Sequence, residues 1–424
     1  VNASNMIEPA FPDDGQMVDV LDRVGDLRAA AARLSASAGP ASRAVLTPLL
    51  RAMNSYYTNK IEGQQTYPAD LEAALEQKFS KEHETYRRQQ LALAHMRLEA
   101  ELEPLALQMS WAEQLSPDWI TRIHRQLYEQ LPAESRVILD AQGQVRGSLA
   151  PGALREIEVT VGNHLAPPAA MLPDLLRHFV FRYGVEHYSV NKKIVAAGAS
   201  MHRLSWIHPF ADGNGRVSRL QNHLLLTHLA LTDGLWSPMR GLARRQGDYY
   251  AALSAADQRR RNDTDGRGNP SSSGLTHFVS FWLDVCLDQV NFMAGQLDFP
   301  SLEHRFNSLA LQITHDFGRS MAHSRTSIYP EQLGRALYRL FQIGKLDRGE
   351  FKAMLGVADR TASRTVAQLL ALRLVKTTSR VGPIEPALPF FSLRFLFPGL
   401  WPESESVPLP TIESHRAQDA RGIE

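Results

Sequence analysis

A single cysteine, Cys286, stands in the 424 residues. One thiol excludes an internal disulfide and any cysteine-built zinc site, and it suits a reducing compartment. Its setting, an apolar run over residues 278–290, reads as a small buried side chain rather than a reactive thiol. An excess of either charge is also lacking: 46 Lys and Arg stand against 45 Asp and Glu, so no field from the whole chain favours nucleic acid or an anionic membrane. No window reaches the ~18 consecutive apolar residues that a transmembrane helix needs. The N-terminus is polar and acidic, without a signal-peptide pattern. The expected location is the cytoplasm, with no membrane partner. No Gly-x-x-x-x-Gly-Lys-Ser/Thr phosphate loop occurs. Asp263-Thr-Asp265-Gly begins like a calcium loop, but its twelfth position is Gly274 rather than Glu. Internal repeats are absent.

What is present is mostly helical periodicity, and the expected fold class is mainly α. Apolar residues recur at helical spacing over 17–34 and 43–57, the latter continuing to 62, and over 83–105. Prolines in the favoured first turn open helices at Pro68 and Pro117. Residues 191–206 are apolar nearly all round, as in a central buried helix, and another helix spans 214–231. Residues 155–161 alternate polar and apolar before Gly162-Asn163, which predicts a small hairpin with an edge strand. Residues 259–274 are loop-forming, with the basic run 259–261 read as solvated, and 274–297 return to helix. Beyond Pro300, helices over 331–343, 348–355 and 360–373 and strands over 374–378 and 391–397 give a winged helix-turn-helix order. The expected domains are a helical region over 1–110, a core over 111–299, a winged helix over 300–400 and a disordered polar tail over 401–424.

Chemistry concentrates in residues 208–219, reading His-Pro-Phe-Ala-Asp-Gly-Asn-Gly-Arg-Val-Ser-Arg. Gly213, Asn214 and Gly215 at the mouth of a helix let the backbone turn tightly and present N–H groups, a cradle for a di- or triphosphate. Arg216 and Arg219, three apart on the first turn, add two guanidinium forks. Asp212 beside the cradle suits magnesium, which takes one or two carboxylates together with substrate phosphates. His208 ends the preceding helix, stopped by Pro209, and can accept a proton near neutral pH. Base, metal ligand, cradle and cations in twelve residues describe a phosphoryl-transfer site. His178 and His187 lack a third ligand and read as core or surface residues.

This segment resembles the signature of the Fic family, His-Pro-Phe-x-Asp/Glu-Gly-Asn-Gly-Arg-x-x-Arg, at every specified position, and the similarity extends over about 115–297. The resemblance implies a Fic-type helical bundle with a β-hairpin flap, and an adenylyltransferase that moves AMP from ATP, with Mg2+, onto a protein hydroxyl. It implies that His208 deprotonates the target hydroxyl and that Asp212 holds the metal. The backbone at Gly213, Asn214 and Gly215 would bind the α- and β-phosphates, with Arg216 on the β- and Arg219 on the γ-phosphate. Glu158, Val159, Thr160, Val161 and Gly162 would form the flap on which a target segment adds as a strand. Tyr249 and Tyr250 are candidate adenosine neighbours. Thr58-Asn-Lys-Ile-Glu62-Gly63 resembles the family's inhibitory pattern, in which Glu62 pairs with Arg219 and displaces the γ-phosphate. Family precedent also implies a homodimer. Two alternatives stay open: the same site removing AMP or using another nucleotide, and an ATP-sensing regulator that binds DNA through Arg360 and Arg364 of the winged helix.

Overall fold

The computed structural model describes residues 3–139, 144–161, 164–266, 268–320 and 328–409. The chain divides into two compact units, Val1–Arg33 with Arg51–Thr66 and Ala74–Asn291, and Leu34–Leu50 with Tyr67–Ala73 and Phe292–Glu424. The second unit thus starts near residue 292 rather than 300, and it takes in two N-terminal stretches that a reading along the chain assigns elsewhere.

The helices before the core are α1 (Ala3–Ile7), α2 (Asp14–Ser37), α3 (Pro40–Ile61), α4 (Pro68–Leu75), α5 (His83–Gln108), α6 (Trp111–Gln114) and α7 (Pro117–Glu129). Two short antiparallel hairpins follow: β1 (Val137–Leu139) with β2 (Val145–Ser148), and β3 (Thr160–Val161) with β4 (His164–Leu165). The core then comprises α8 (Leu172–Tyr183), α9 (Val190–Ile207), α10 (Asn214–His228), α11 (Met239–Arg244), α12 (Gln246–Asp257) and α13 (Ser272–Gln296). Helix α9 is buried without a break from Ile194 to Leu204, as its apolar circumference requires. It has no Cβ at Gly198, where one would strike the Trp282 ring of α13. Helix α10 packs on α9 and also on α5 and α7. Helix α7 begins with Ser116 accepting from the Trp119 N–H and with Pro117 in the first turn. Its apolar stripe buries Ile120, Ile123 and Leu127, worth about 1.5–3 kcal/mol per fully buried side chain. The same face carries His124 and Tyr128 inward.

Residues 155–159, expected as strand, are not: only 160–161 pair with 164–165. Arg155 is buried, and its guanidinium spends its hydrogens on backbone carbonyls, which competes with ladder formation.

The second unit contains α14 (Phe299–Ser320), α15 (Pro330–Ile343), α16 (Arg348–Met354) and α17 (Asp359–Ala371), then β5 (Val375–Lys376) antiparallel to β6 (Glu385–Pro386), and α18 (Leu393–Leu396). The three helices of the expected order are present, with a bridge from Leu346 to Ile384 beside the strand pair. The second strand lies at 385–386, and 391–396 is helical. Phe390, Leu393 and Leu396 recur every three residues on a buried face, and Phe390 packs edge-on to Trp401 at 4.9 Å. The segment expected as a disordered tail is ordered at its start: Trp401 and Val407 are buried around a turn over Pro402–Ser406. Residues 410–424 lie outside the described residues. Among the described residues no helix is long and apolar enough to cross a membrane.

Candidate active site

Helix α9 ends at His208 in the left-handed region (φ 51, ψ 61), its N–H still donating to Leu204 O. Pro209 cannot continue the helix, and the chain turns through 209–213 into α10. Asn214 closes this turn with its side chain. Its Oδ1 accepts from Phe210 N at 2.9 Å and its Nδ2 donates to Phe210 O at 2.8 Å. Phe210 is fully buried and stacks on His124 at 3.9 Å with an interplanar angle of 7°. His124 accepts from Gly152 N at Nδ1 (2.8 Å), so its Nε2 carries the proton and donates to Asp212 O at 3.2 Å. Burial pushes His124 down to about 4, which keeps that tautomer neutral.

Gly213 caps α10 at φ 83, a conformation that glycine adopts without a Cβ penalty. A Cβ there would collide with the Tyr128 hydroxyl. His208 lines a cavity of about 1070 Å³ together with Glu62, Asn214, Gly215, Arg219 and Tyr249. Its Nδ1 faces Ser205 O at 3.3 Å; a carbonyl only accepts, so the proton sits on Nδ1 and Nε2 keeps its lone pair. Burial, with Arg155 and His164 nearby, pushes His208 down to about 4. The ring is therefore neutral and basic at Nε2 throughout the neutral range.

The two arginines of the motif part company. Arg216 is buried and committed: Nη1 donates to Gln64 Oε1 and Nη2 to Tyr128 Oη, both at 2.8 Å, with Asp212 at 3.4 Å. It does not line the cavity. Arg219 does. Its Nε donates to Thr58 Oγ1 at 2.8 Å, and its Nη2 to Thr58 O at 3.1 Å and to Glu62 Oε1 at 2.5 Å. Residues 58, 62 and 219, far apart in sequence, thus converge on one guanidinium. Burial raises the Glu62 carboxyl, but Arg219 and Arg216 outweigh it and hold the group below the ordinary carboxylate range. The Glu62 carboxylate also occupies the space over Gly215 where a Cβ would fall, at the N-terminus of α10. Gly63 follows the end of α3 at φ 69, with Gly63 N donating to Lys60 O and Gln64 N to Asn59 O. The glycine of that pattern has a backbone reason.

Asp212 is partly exposed beside the turn and accepts from Gly213 N at 2.6 Å. An accessible carboxylate beside a helix N-terminus fits the magnesium donor set. Tyr249 is buried, Tyr250 is half-exposed, and both line the cavity. The Tyr250 hydroxyl donates to Ile61 O at 2.8 Å, tying α12 to the end of α3. Of the expected flap, Thr160 and Val161 form β3, and Val159 O accepts from Ala166 N. Glu158 accepts from Ala169 N instead of facing outward freely, and Gly162 lies outside the described residues. Arg155 anchors the flap to the motif through His208 O (2.7 Å) and Pro167 O (2.5 Å). His124, Tyr128, Gln64 and Arg155 escaped sequence reading. A polar residue on a buried helix face is a weak signal, and each acts on a partner about 50 to 150 residues away.

The Fic/DOC family model matches residues 114–226. Proteins named protein adenylyltransferase Fic are similar over 139 residues, 32% of this chain: that of Drosophila virilis at 31% identity and that of Drosophila melanogaster at 30%. The chain spans only 28% and 27% of those relatives' lengths. Among solved structures, a Fic family protein from Desulfovibrio desulfuricans aligns at TM-score 0.48 and 20% identity, over 90% of this chain and 98% of that one. A Fic domain containing signaling protein from Bacteroides thetaiotaomicron aligns at 0.46 and 15%, over 64% and 95%. The matched segment encloses the His208–Arg219 turn, so it is over residues 114–226 that the chain is similar to the Fic/DOC family.

Proposed function

We propose that the chain transfers AMP from ATP to a serine, threonine or tyrosine hydroxyl of a target protein or of itself, and that Glu62 restrains the reaction. One juxtaposition carries this reading: the lone pair of His208 Nε2, the α10 N-terminus and Arg219 face a single cavity large enough for a nucleotide. In the proposed step the target hydroxyl loses its proton to His208 Nε2 and its oxygen bonds to the α-phosphorus. The bond from that phosphorus to the bridging oxygen breaks, and pyrophosphate leaves. The backbone N–H groups of Asn214 and Gly215, with that of Gly213 once Asp212 releases it, receive the developing charge, and Arg219 binds the γ-phosphate once Glu62 withdraws. Asp212 would hold Mg2+, which when bound neutralises the phosphates. Tyr249 and Tyr250 would flank the adenosine. Arg216 supports this arrangement by orienting Asp212 and Tyr128, and it reaches the β-phosphate only by releasing Gln64. The hairpin β3–β4 would receive the target segment as an added strand.

The test is transfer of label from α-phosphate-labelled ATP by wild type, Glu62→Gly and Glu62→Gly/His208→Asn protein, with mass spectrometry of the product. A label gained in the first variant and lost in the second supports the reading; mass gain other than AMP favours another nucleotide. We further place the protein in a reducing cytoplasm, consistent with the buried, unreactive Cys286. The element order α15–α17 with β5–β6 supports a winged helix, and Arg360 is exposed on α17. Salt-dependent gel shift tests whether it binds DNA, and sedimentation tests the homodimer.

A further inference from the structure

We propose that Glu99, Glu103 and His223, with His95 beside Glu99, form a buried site for a divalent transition-metal ion, with zinc as the ion that best matches the ligands. The site is separate from Asp212 and from the nucleotide cavity, none of whose lining residues belongs to it.

Helix α5 carries His95, Glu99 and Glu103 four residues apart, a spacing that stacks side chains on one face. Helix α10 packs on that face and brings His223, one turn beyond Arg219. One ligand atom each from Glu99, Glu103 and His223 lies within 4.8 Å of the others. His223 Nε2 is 3.0 Å from Glu103 Oε1 and 3.6 Å from Glu99 Oε1. Tetrahedral zinc with bonds of about 2.0–2.1 Å separates its ligands by roughly 3.3 Å, between those two distances. An imidazole is a borderline donor and the two carboxylates are hard ones, a mixed nitrogen and oxygen set that suits zinc over the oxygen-only ions, and the two carboxylates balance a dication.

A second observation is independent of the acidic pair. His95 is wholly buried, and neither of its ring nitrogens has a hydrogen-bond partner; its Nδ1 lies 3.7 Å from Glu99 Oε2. Glu99 Oε2 and His223 Nδ1 are buried and unpartnered as well. Buried polar groups are normally satisfied, and the orphaned His95 Nδ1 and Glu99 Oε2, 3.7 Å apart, mark a missing partner between them. The surrounding residues behave as supports for metal ligands do. Asn54 Nδ2 donates to Glu99 Oε1 at 2.7 Å, and Arg51 Nε to Glu103 Oε2 at 3.1 Å. Both supports come from α3, the helix that carries Thr58 at the Arg219 guanidinium. The ion would therefore join α3, α5 and α10 beneath that arginine.

The test uses the full chain, stripped with chelator, exchanged into nucleotide-free buffer and titrated with Co2+ and then Zn2+. The expected result is one equivalent of Co2+ with the visible bands of a four- or five-coordinate nitrogen and oxygen site, bleached by one equivalent of Zn2+. Zinc should also raise Tm, because it binds the folded state alone. Glu99→Gln and His223→Gln should each weaken binding at least tenfold, whereas Asp212→Asn should leave it intact. Absence of stoichiometric binding in the wild type, a spectrum of hexaaqua type, unchanged binding in both ligand variants, or loss in Asp212→Asn would each overturn the proposal. Circular dichroism reports whether the variants fold, and the wild-type spectrum decides the question even where one does not.

Discussion

Replacing Glu62 with glycine should release transfer activity by an amount that the geometry bounds. The carboxylate accepts from Arg219 Nη2 at 2.5 Å, and Arg219 is 2% exposed. A hydrogen bond between charged partners is worth about 1.5–3 kcal/mol. Glu62 itself is 31% exposed, which favours the lower half of that range through solvent screening. A γ-phosphate must break this bond before it can use Arg219. Removing it should therefore raise the initial rate of auto-modification roughly 10- to 40-fold, at about 1.4 kcal/mol per decade. Thr58 still holds Nε and Nη2, so the guanidinium stays aimed. The variant also clears the space over Gly215. Glu62→Gln, which keeps the bulk and loses the charge, should fall between wild type and glycine. The folded-state carboxyl is held below its ordinary value, so the pairing is complete above about pH 4.5 and lost only as pH falls through the lowered value. Mild acid should not activate the wild type. The assay is the initial rate of label transfer from α-phosphate-labelled ATP at saturating nucleotide. Rates for the glycine and glutamine variants within twofold of wild type would refute the competition argument.

Three further outcomes follow from the same contacts. In the Glu62→Gly background the acid limb of the rate profile should lie near pH 4, where His208 Nε2 becomes protonated; a limb at 6–7 would show an unperturbed base, and His208→Asn, which tolerates the left-handed backbone, should cost at least 100-fold in rate with the fold retained by circular dichroism. Gly213→Ala must place a Cβ at φ 83 and against the Tyr128 ring, so it should lose about 2–4 kcal/mol in thermal or urea unfolding and more than tenfold in labelling. Arg155→Met keeps the aliphatic stem but strips donors from His208 O, Pro167 O and Ile157 O; we expect about 2–4 kcal/mol of destabilisation and a KM for target protein that rises more than kcat falls, measured by labelling at varied target concentration.

Residues 208–219 were legible because their function is local. A glycine turn, a helix start and a histidine just upstream depend on neighbours in the chain, and α5 followed from periodicity, α7 from the first-turn proline at 117 and α9 from its apolar circumference. The pairing of Glu62 with Arg219 was legible only through resemblance, since nothing at Glu62 itself names Arg219. Short apolar runs misled where strand and helix share composition: Phe391 to Phe397 has aromatic, β-favouring residues, yet packing against Trp401 selects helical spacing. Alternation over 155–161 lost to one buried guanidinium.

By itself, the sequence determined the chemistry of the turn from His208 to Arg219: which groups can take a proton, bind phosphate or hold a cation. Tertiary structure alone decided how those groups are used. It sends Arg216 to Tyr128 and Gln64, pairs Arg219 with Glu62, fixes His208 with its free nitrogen toward the cavity, and gathers Glu99, Glu103 and His223 with the unpartnered His95 beside Glu99. The reason is physical: a side chain's reactivity is set by its type, but its partner, burial and protonation state are set by whatever distant segment packs against it.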